Sequence, residues 1–154
     1  MIFVTIGTQI PFDRFIKAID EIAGTINETF VVQALKGNYV PKNFETIEFI
    51  APDEFDIMIQ KARLIVSHAG IGTILSATDY EKPIIIFPRL ASLGEHRNDH
   101  QMATAMAINE KGYAYVAYDK KQLKDLLSAE NLIPLKRRTE LSANKIYGAF
   151  ISVV

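Results

Sequence analysis

A doubly wound α/β fold built on one parallel sheet is what this sequence predicts, and three observations predict it. Short β-rich runs alternate with helical patterns along the chain. One of these runs, residues 84–87 (Ile-Ile-Ile-Phe), is apolar without alternation, as a strand covered on both faces is. The 154 residues are 49% apolar and 23% charged, which suits one packed domain rather than two, and not a disordered chain. Strand alternating with helix implies right-handed crossovers and helices on both faces of the sheet.

Residues 2–6 read as the first strand. Phe12, Phe15, Ile16, Ile19 and Ile22 then recur at helical spacing and give one apolar face. Residues 30–34 and 47–50 read as two more strands, the second preceded by a polar loop containing Pro41. A short helix over 54–61 leads into a fourth strand at 64–67, and a helix over 71–80 ends before Glu81-Lys82-Pro83. After the fifth strand comes a polar loop, 88–99. A helix carrying Met102, Ala105, Met106 and Ile108 follows, closed by Gly112. Residues 113–117 make a sixth strand, and Asp119 is placed to cap a helix containing Leu123, Leu126 and Leu127. Residues 1–130 thus form the domain body. Residues 131–154 supply a linker, to about Arg138, and a terminal amphipathic helix from about Thr139.

Seventeen Lys and Arg face eighteen Asp and Glu, without the basic surplus that nucleic-acid binding draws on, so no nucleic-acid partner is expected. The absence of cysteine removes disulfides, thiolate metal sites and cysteine nucleophiles, and fits a reducing cytoplasm. The first residues carry neither a basic leader nor a long apolar run, so no signal peptide is expected.

The sharpest local feature is Ser67-His68-Ala69-Gly70-Ile71-Gly72-Thr73, which follows an apolar strand and opens a helix. Glycines let the backbone turn tightly and approach a ligand. The unpaired N–H groups of a first helical turn attract phosphate oxygens. Many strand-to-helix turns need glycine for steric reasons alone, so the motif taken singly is weak. A bulky residue at Gly72 is expected to strain the turn and to block ligand approach. A second glycine turn, Gly7-Thr8-Gln9-Ile10-Pro11, follows the first strand. In a doubly wound sheet the first and fourth strands are neighbours at the topological switch point, so both loops face one crevice. The dinucleotide fingerprint and the P-loop lysine are both absent, which disfavours NAD and ATP chemistry.

The loop after the fifth strand crowds Pro88-Arg89 and then Glu95-His96-Arg97-Asn98-Asp99-His100-Gln101. His96 and His100 are four apart and would share a face if both were helical, which raises a zinc reading. Glu95 precedes the first histidine instead of following it, so the metalloprotease pattern is missing. A polar loop with Asn98 or Asp99 as N-cap of the next helix is favoured over a metal site.

Together, Val4-Thr5-Ile6-Gly7-Thr8, the 67–73 motif, Lys82-Pro83, Pro88-Arg89 and Glu95-His96-x-Asn98-Asp99-His100-Gln101 resemble the C-terminal domain of family 28 glycosyltransferases. The chain is similar in particular to the stand-alone small subunits of split transferases. These are the soluble subunit of the eukaryotic dolichol-linked N-acetylglucosaminyltransferase and bacterial relatives in capsule and exopolysaccharide synthesis. The exopolysaccharide branch looks closest, through the segment from Glu95 to Gln101.

The resemblance implies a Rossmann-like half of a two-domain GT-B architecture that binds a UDP-sugar donor. Carried over by position, His68-Ala69-Gly70-Ile71-Gly72-Thr73 would lie against the diphosphate and sugar, and the switch point would put Gly7 and Thr8 across the crevice from them. The loop from Glu95 would meet the sugar and leaving phosphate, and Gln101 is its best-matched polar contact. Fused relatives place a glutamate for the ribose hydroxyls where this chain has Ser76. The implied reaction is inverting displacement at the anomeric carbon by a hydroxyl of a lipid-linked acceptor. No metal or other cofactor is expected, because backbone N–H groups can hold the leaving diphosphate and the chain lacks an Asp-x-Asp pair. His68, Glu95, His96 and His100 are the candidate bases, although in fused relatives the base comes from the other half.

That other half would be a membrane-associated companion subunit, with this chain cytoplasmic and recruited through it to the inner face of the membrane. Ala143, Ile146, Tyr147, Phe150, Ile151 and Val154 give the terminal helix an apolar stripe suited to docking, or equally to packing on its own domain. The rival readings are a non-catalytic UDP-sugar-binding protein and a UDP-sugar epimerase or hydrolase.

Overall fold

The computed structural model describes residues 1–135. The end of the expected linker and the terminal helix lie outside the described residues. Six strands, β1 (Ile2–Thr5), β2 (Phe30–Gln33), β3 (Thr46–Ile47), β4 (Leu64–Ser67), β5 (Ile84–Ile86) and β6 (Tyr115–Val116), form one sheet. Their order is β3-β2-β1-β4-β5-β6, and every pairing is parallel. The chain reverses direction across the sheet between β1 and β4, which pair with Thr5 opposite Ser67. This is the expected switch point. The helices are α1 (Asp13–Ala23), α2 (Pro52–Lys61), α3 (Ile71–Asp79), α4 (His100–Lys111) and α5 (Lys120–Leu127), with a 3-10 turn at Ala91–Leu93.

Alternate residues of a strand point to opposite faces, and here both faces are covered. Ile2, Val4, Val32, Leu64, Val66 and Ile85 pack with Phe15, Ile16 and Ile19 of α1 and Leu123 and Leu127 of α5. Phe3, Ile65, Ile84 and Ile86 face the other way, onto Ile59 of α2, Ile74 and Ala77 of α3, and Ala105 and Ile108 of α4. Each such buried aliphatic or aromatic side chain contributes about 1.5–3 kcal/mol, so the two layers rather than helix propensity hold the domain together.

Several strands are shorter than expected, β6 covering only Tyr115–Val116 of the expected 113–117, and two boundaries differ for visible reasons. β3 stops at Ile47 because its ladder partner β2 ends at Gln33, whose side chain then takes the Glu48 carbonyl. Phe49 beyond it is exposed. α2 begins at Pro52 because proline suits the first helical position, and Asp53 and Glu54 favour the positive end of the helix. Asp119 caps α5 as expected, accepting the Gln122 N–H at 2.8 Å.

Candidate functional site

The carboxyl ends of β1, β4 and β5 open into a cleft of ≈ 320 Å³ whose lining includes Gly7, Thr8, His68, Gly70, Gly72, Thr73, Arg89, His96 and Gln101. A second cavity of ≈ 340 Å³ shares Gly7, Thr8, Gly72 and Thr73 with it and continues to Gln33, Ile50, Phe55 and Ser76. The two spaces meet around the N-terminal turn of α3 and the glycine turn after β1. Both glycine loops therefore face one crevice, as the sheet order requires.

His68 explains two of the glycines. Its ring lies so close to the backbone that a methyl group on Gly7 would stand 2.9 Å from Nε2, and one on Gly70 2.6 Å from the same atom. Gly7 also has φ +78, a left-handed conformation that side-chain-bearing residues seldom adopt. Gly72 is different. No heavy atom lies within 4 Å of where its Cβ would be, and its φ is not left-handed. The expectation that a side chain there strains the turn is corrected: Gly72 leaves open space in front of the α3 N-terminus, and any block would fall on a ligand.

Gln101, buried in the first turn of α4, sets the chemistry of His68. Its Oε1 accepts the Arg89 backbone N–H at 3.0 Å, so its NH2 must face His68 Nδ1, 3.1 Å away. Nδ1 is thus the acceptor, and the neutral ring carries its proton on Nε2. Burial pushes the His68 pKa down to about 4, the positive charges of Arg89 and His96 push the same way, and the Gln101 hydrogen bond opposes them. At neutral pH His68 is an uncharged donor.

Arg89 is 2% exposed and donates to three carbonyls of the β1–α1 loop: Pro11 at 2.7 Å, Ile10 at 2.8 Å and Ile6 at 3.1 Å. Its guanidinium lies 4.4 Å from the Phe12 ring centroid. Burial lowers its pKa to about 10, with Glu95 opposing, so it stays cationic at neutral pH. A cation that donates to carbonyls rather than to a carboxylate places positive potential on the cleft wall.

The loop from Glu95 to Gln101 is assembled differently from the sequence reading. Glu95 does not line the cleft: its carboxylate grips Arg14 of α1 (2.5 and 3.0 Å) and accepts the Leu90 N–H at 2.8 Å. Arg14 also donates to the Pro88 carbonyl at 2.9 Å and stacks 4.4 Å from the Phe87 ring. Both oxygens of Glu95, one of the candidate bases, are engaged in holding the loop. His100 is the first residue of α4 and exposed, while His96 precedes the helix, so the two share no helical face. Asn98 Oδ1 accepts both the His100 backbone N–H and the His96 ring N–H at Nδ1, each at 3.1 Å. Asp99 occupies the N-cap position, yet its side chain accepts from Ala91 instead of from the helix. His96 lines the cleft, and its other ring nitrogen has no hydrogen-bond partner among the described residues. Ile71 and His100 are the other expected site residues outside the lining.

Arg14, Arg89 and Gln33 were not read as site residues. A glutamine ending the apolar run Phe30-Val31-Val32-Gln33 and an arginine ending the fifth strand's apolar run were the available signals.

The description "Glycosyltransferase family 28 C-terminal domain" belongs to the family model that matches residues 1–149. Human "UDP-N-acetylglucosamine transferase subunit ALG13" is 28% identical over 125 residues, covering 74% of this chain and 11% of that protein. The "UDP-N-acetylglucosamine--N-acetylmuramyl-(pentapeptide) pyrophosphoryl-undecaprenol N-acetylglucosamine transferase" of Prochlorococcus marinus (strain MIT 9301) is 33% identical over 94 residues, covering 61% of this chain and 23% of that protein. The chain thus spans between about a tenth and a quarter of these relatives. Among solved structures, an NMR structure of ALG13 superposes with TM-score 0.61 at 20% identity, covering 96% of this chain and 92% of that one. The glycosyltransferase SnogD from Streptomyces nogalater superposes with TM-score 0.54 at 19% identity, covering 99% of this chain but 37% of that one. The fold is accordingly one Rossmann-like half of the GT-B architecture. A family model spanning nearly the whole chain, over a glycine-lined crevice of the expected order, establishes that this chain belongs to the glycosyltransferase family 28 C-terminal domain family.

Proposed function

We propose that this chain is the donor-binding catalytic subunit of a UDP-sugar-dependent, inverting glycosyltransferase. It assembles with a membrane-associated companion and acts on a lipid-linked saccharide at the inner face of the membrane. The observation that carries the reading is the crevice itself. The Gly7–Thr8 turn, the first turn of α3, the neutral donor His68 and the buried cation Arg89 all border one space open to an anion. Ser76 borders the adjoining cavity with Phe55 and Ile50, which supports placing the nucleoside there.

In the reaction the acceptor hydroxyl oxygen bonds to the anomeric carbon while the bond from that carbon to the β-phosphate oxygen breaks. The electron pair leaves with UDP, and the hydroxyl proton passes to a base. Fixed donors aimed at the leaving diphosphate stabilise its growing charge. Among the four candidate bases, His96 alone combines a place in the cleft lining with a ring nitrogen not already engaged. The companion supplies the acceptor surface. The names of the relatives support both the UDP-sugar and the lipid-linked acceptor, and the word "subunit" supports the companion. Exopolysaccharide synthesis is the pathway favoured by the segment from Glu95 to Gln101. No helix among the described residues is long and apolar enough to cross a membrane, so the companion is assigned the membrane contact.

The test is calorimetric titration of the chain with UDP, followed by a transfer assay after co-expression with the companion. Measurable UDP binding and partner-dependent transfer are expected. Transfer should survive exhaustive EDTA treatment, because the donors named above carry the leaving-group charge. A fall to background restored by Mg²⁺ or Mn²⁺ overturns that metal-free mechanism. Hydrolysis or epimerisation of the UDP-sugar by the chain alone overturns the transferase reading.

A further inference from the structure

Gln33 lies at the end of β2, 3% exposed, and its amide is fully used. The Thr5 hydroxyl donates to Oε1 at 2.6 Å, while Nε2 donates to the Gly7 carbonyl at 3.1 Å and the Glu48 carbonyl at 2.9 Å. Two carbonyls at one nitrogen leave no doubt which end of the amide is the NH2. The side chain therefore bridges β1, β2 and the end of β3, and one of its bonds falls on the glycine turn of the crevice.

That bond has a directional consequence. The described peptides contain no cis bond, and in a trans peptide the C=O and the following N–H point in opposite directions. β1 lies between β2 and β4 in the sheet. Drawing the Gly7 carbonyl toward the Gln33 amide turns the Thr8 N–H away from that amide. Gly7 can accept this orientation because its φ is +78. Arg89 holds the carbonyls of Ile6, Ile10 and Pro11 on either side of the turn. Among the described residues the Thr8 N–H has no hydrogen-bond partner, and Thr8 lines both cavities with Gly72 and Thr73.

We propose that Gln33 is a positioning residue. By fixing the Gly7 carbonyl it aims the Thr8 N–H across the crevice, completing a two-sided anion cradle whose other side is the first turn of α3. This deepens the donor-binding reading and rests on it. Gln33 borders the cavity assigned to the nucleoside, but its amide is engaged by Thr5, Gly7 and Glu48, and it acts through a backbone amide. The ligand chemistry is a diphosphate, met by N–H groups from both walls.

The test uses the full ¹⁵N-labelled chain, titrated with inorganic pyrophosphate and separately with UDP. In the wild type, pyrophosphate is expected to shift the amide resonances of Thr8, Gly72 and Thr73 together. In Gln33→Met, Gly72 and Thr73 should still respond while Thr8 does not. The Kd for UDP should rise roughly tenfold, the equilibrium factor for losing one charge-assisted hydrogen bond. Should Gln33→Met not fold, Gln33→Glu, which keeps the bond from Thr5 but has no donor, takes its place. If Thr8 stays silent in the wild type while Gly72 and Thr73 shift, the positioning role is overturned and the donor-binding reading survives. If Thr8 responds but UDP does not bind, the positioning role stands and the nucleotide reading goes. A variant that keeps both the Thr8 shift and the wild-type UDP affinity also overturns the proposal.

Discussion

Gln101 donates to His68 across 3.1 Å, and the same amide accepts the Arg89 backbone N–H, so one side chain sets both the proton and the place of the crevice histidine. His68 is left neutral with Nε2 as donor, a state suited to a phosphate or sugar oxygen and unsuited to taking a proton at neutral pH. A pH signature follows. The His68 pKa falls to about 4 in the folded chain from an ordinary value of 6.5, so between these values the unfolded chain binds more protons. Stability attached to this histidine is complete above about pH 6.5 and is lost as pH falls toward 4. Urea midpoints measured across this range should drop for the wild type, and the drop should be smaller in His68→Gln. Equal slopes for the two proteins would show that His68 is not held neutral.

The glycines of the crevice should separate into two classes. Gly7→Ala and Gly70→Ala push a methyl group into the His68 ring, and Gly7→Ala also strains the backbone. Each is expected to lower unfolding stability by about 1–3 kcal/mol. Gly72→Ala meets no atom, and its better helix propensity adds up to about 1 kcal/mol. Gly72→Val should fold as well, yet lose UDP binding by filling the space before the α3 N–H groups. Calorimetry showing undiminished UDP affinity for folded Gly72→Val would remove this loop from the phosphate cradle.

Glu95 and His96 are adjacent in sequence but should answer mutation differently. His96→Gln in the assembled enzyme should lower kcat by about 10²–10⁴, the usual worth of a general base. Glu95→Gln should keep the transfer rate per folded molecule within about tenfold, since that carboxylate holds Arg14 and does not line the cleft. Its loss should instead reduce stability by about 1.5–3 kcal/mol, the range for hydrogen bonds to a charged group. Transfer kinetics and denaturant unfolding of both variants decide the matter, and a kcat collapse confined to Glu95→Gln would reverse the assignment.

The apolar stripe from Ala143 to Val154 lies outside the described residues, and its role is open to a direct experiment. The chain, whole or ending at Arg138, is co-expressed with its companion. The whole chain should co-purify and transfer sugar, and the truncated one should stay folded, bind some UDP and lose the partner. Normal assembly by the truncated chain would rule out docking through the stripe. Unaided transfer to a lipid acceptor by the whole chain would remove the need for a companion.

Most of the architecture was legible in the residue order. Helical spacing from Phe12 to Ile22, the unbroken apolar run Ile84-Ile85-Ile86-Phe87 and the glycines after two strands are local patterns, and local patterns follow from backbone periodicity and sterics. They sufficed to put β1 beside β4 and both glycine turns at one crevice. The roles within that crevice were set elsewhere. Arg89 meets Ile6 across 83 positions, Arg14 meets Glu95 across 81, Gln101 meets His68 across 33 and Gln33 meets Gly7 across 26. Whether a glutamate acts as a base or as an anchor, and which nitrogen of a histidine keeps its proton, depends on the group found at hydrogen-bond distance. Periodicity carries no information about that group, because it arrives only when crossovers bring remote strand ends and helix starts together.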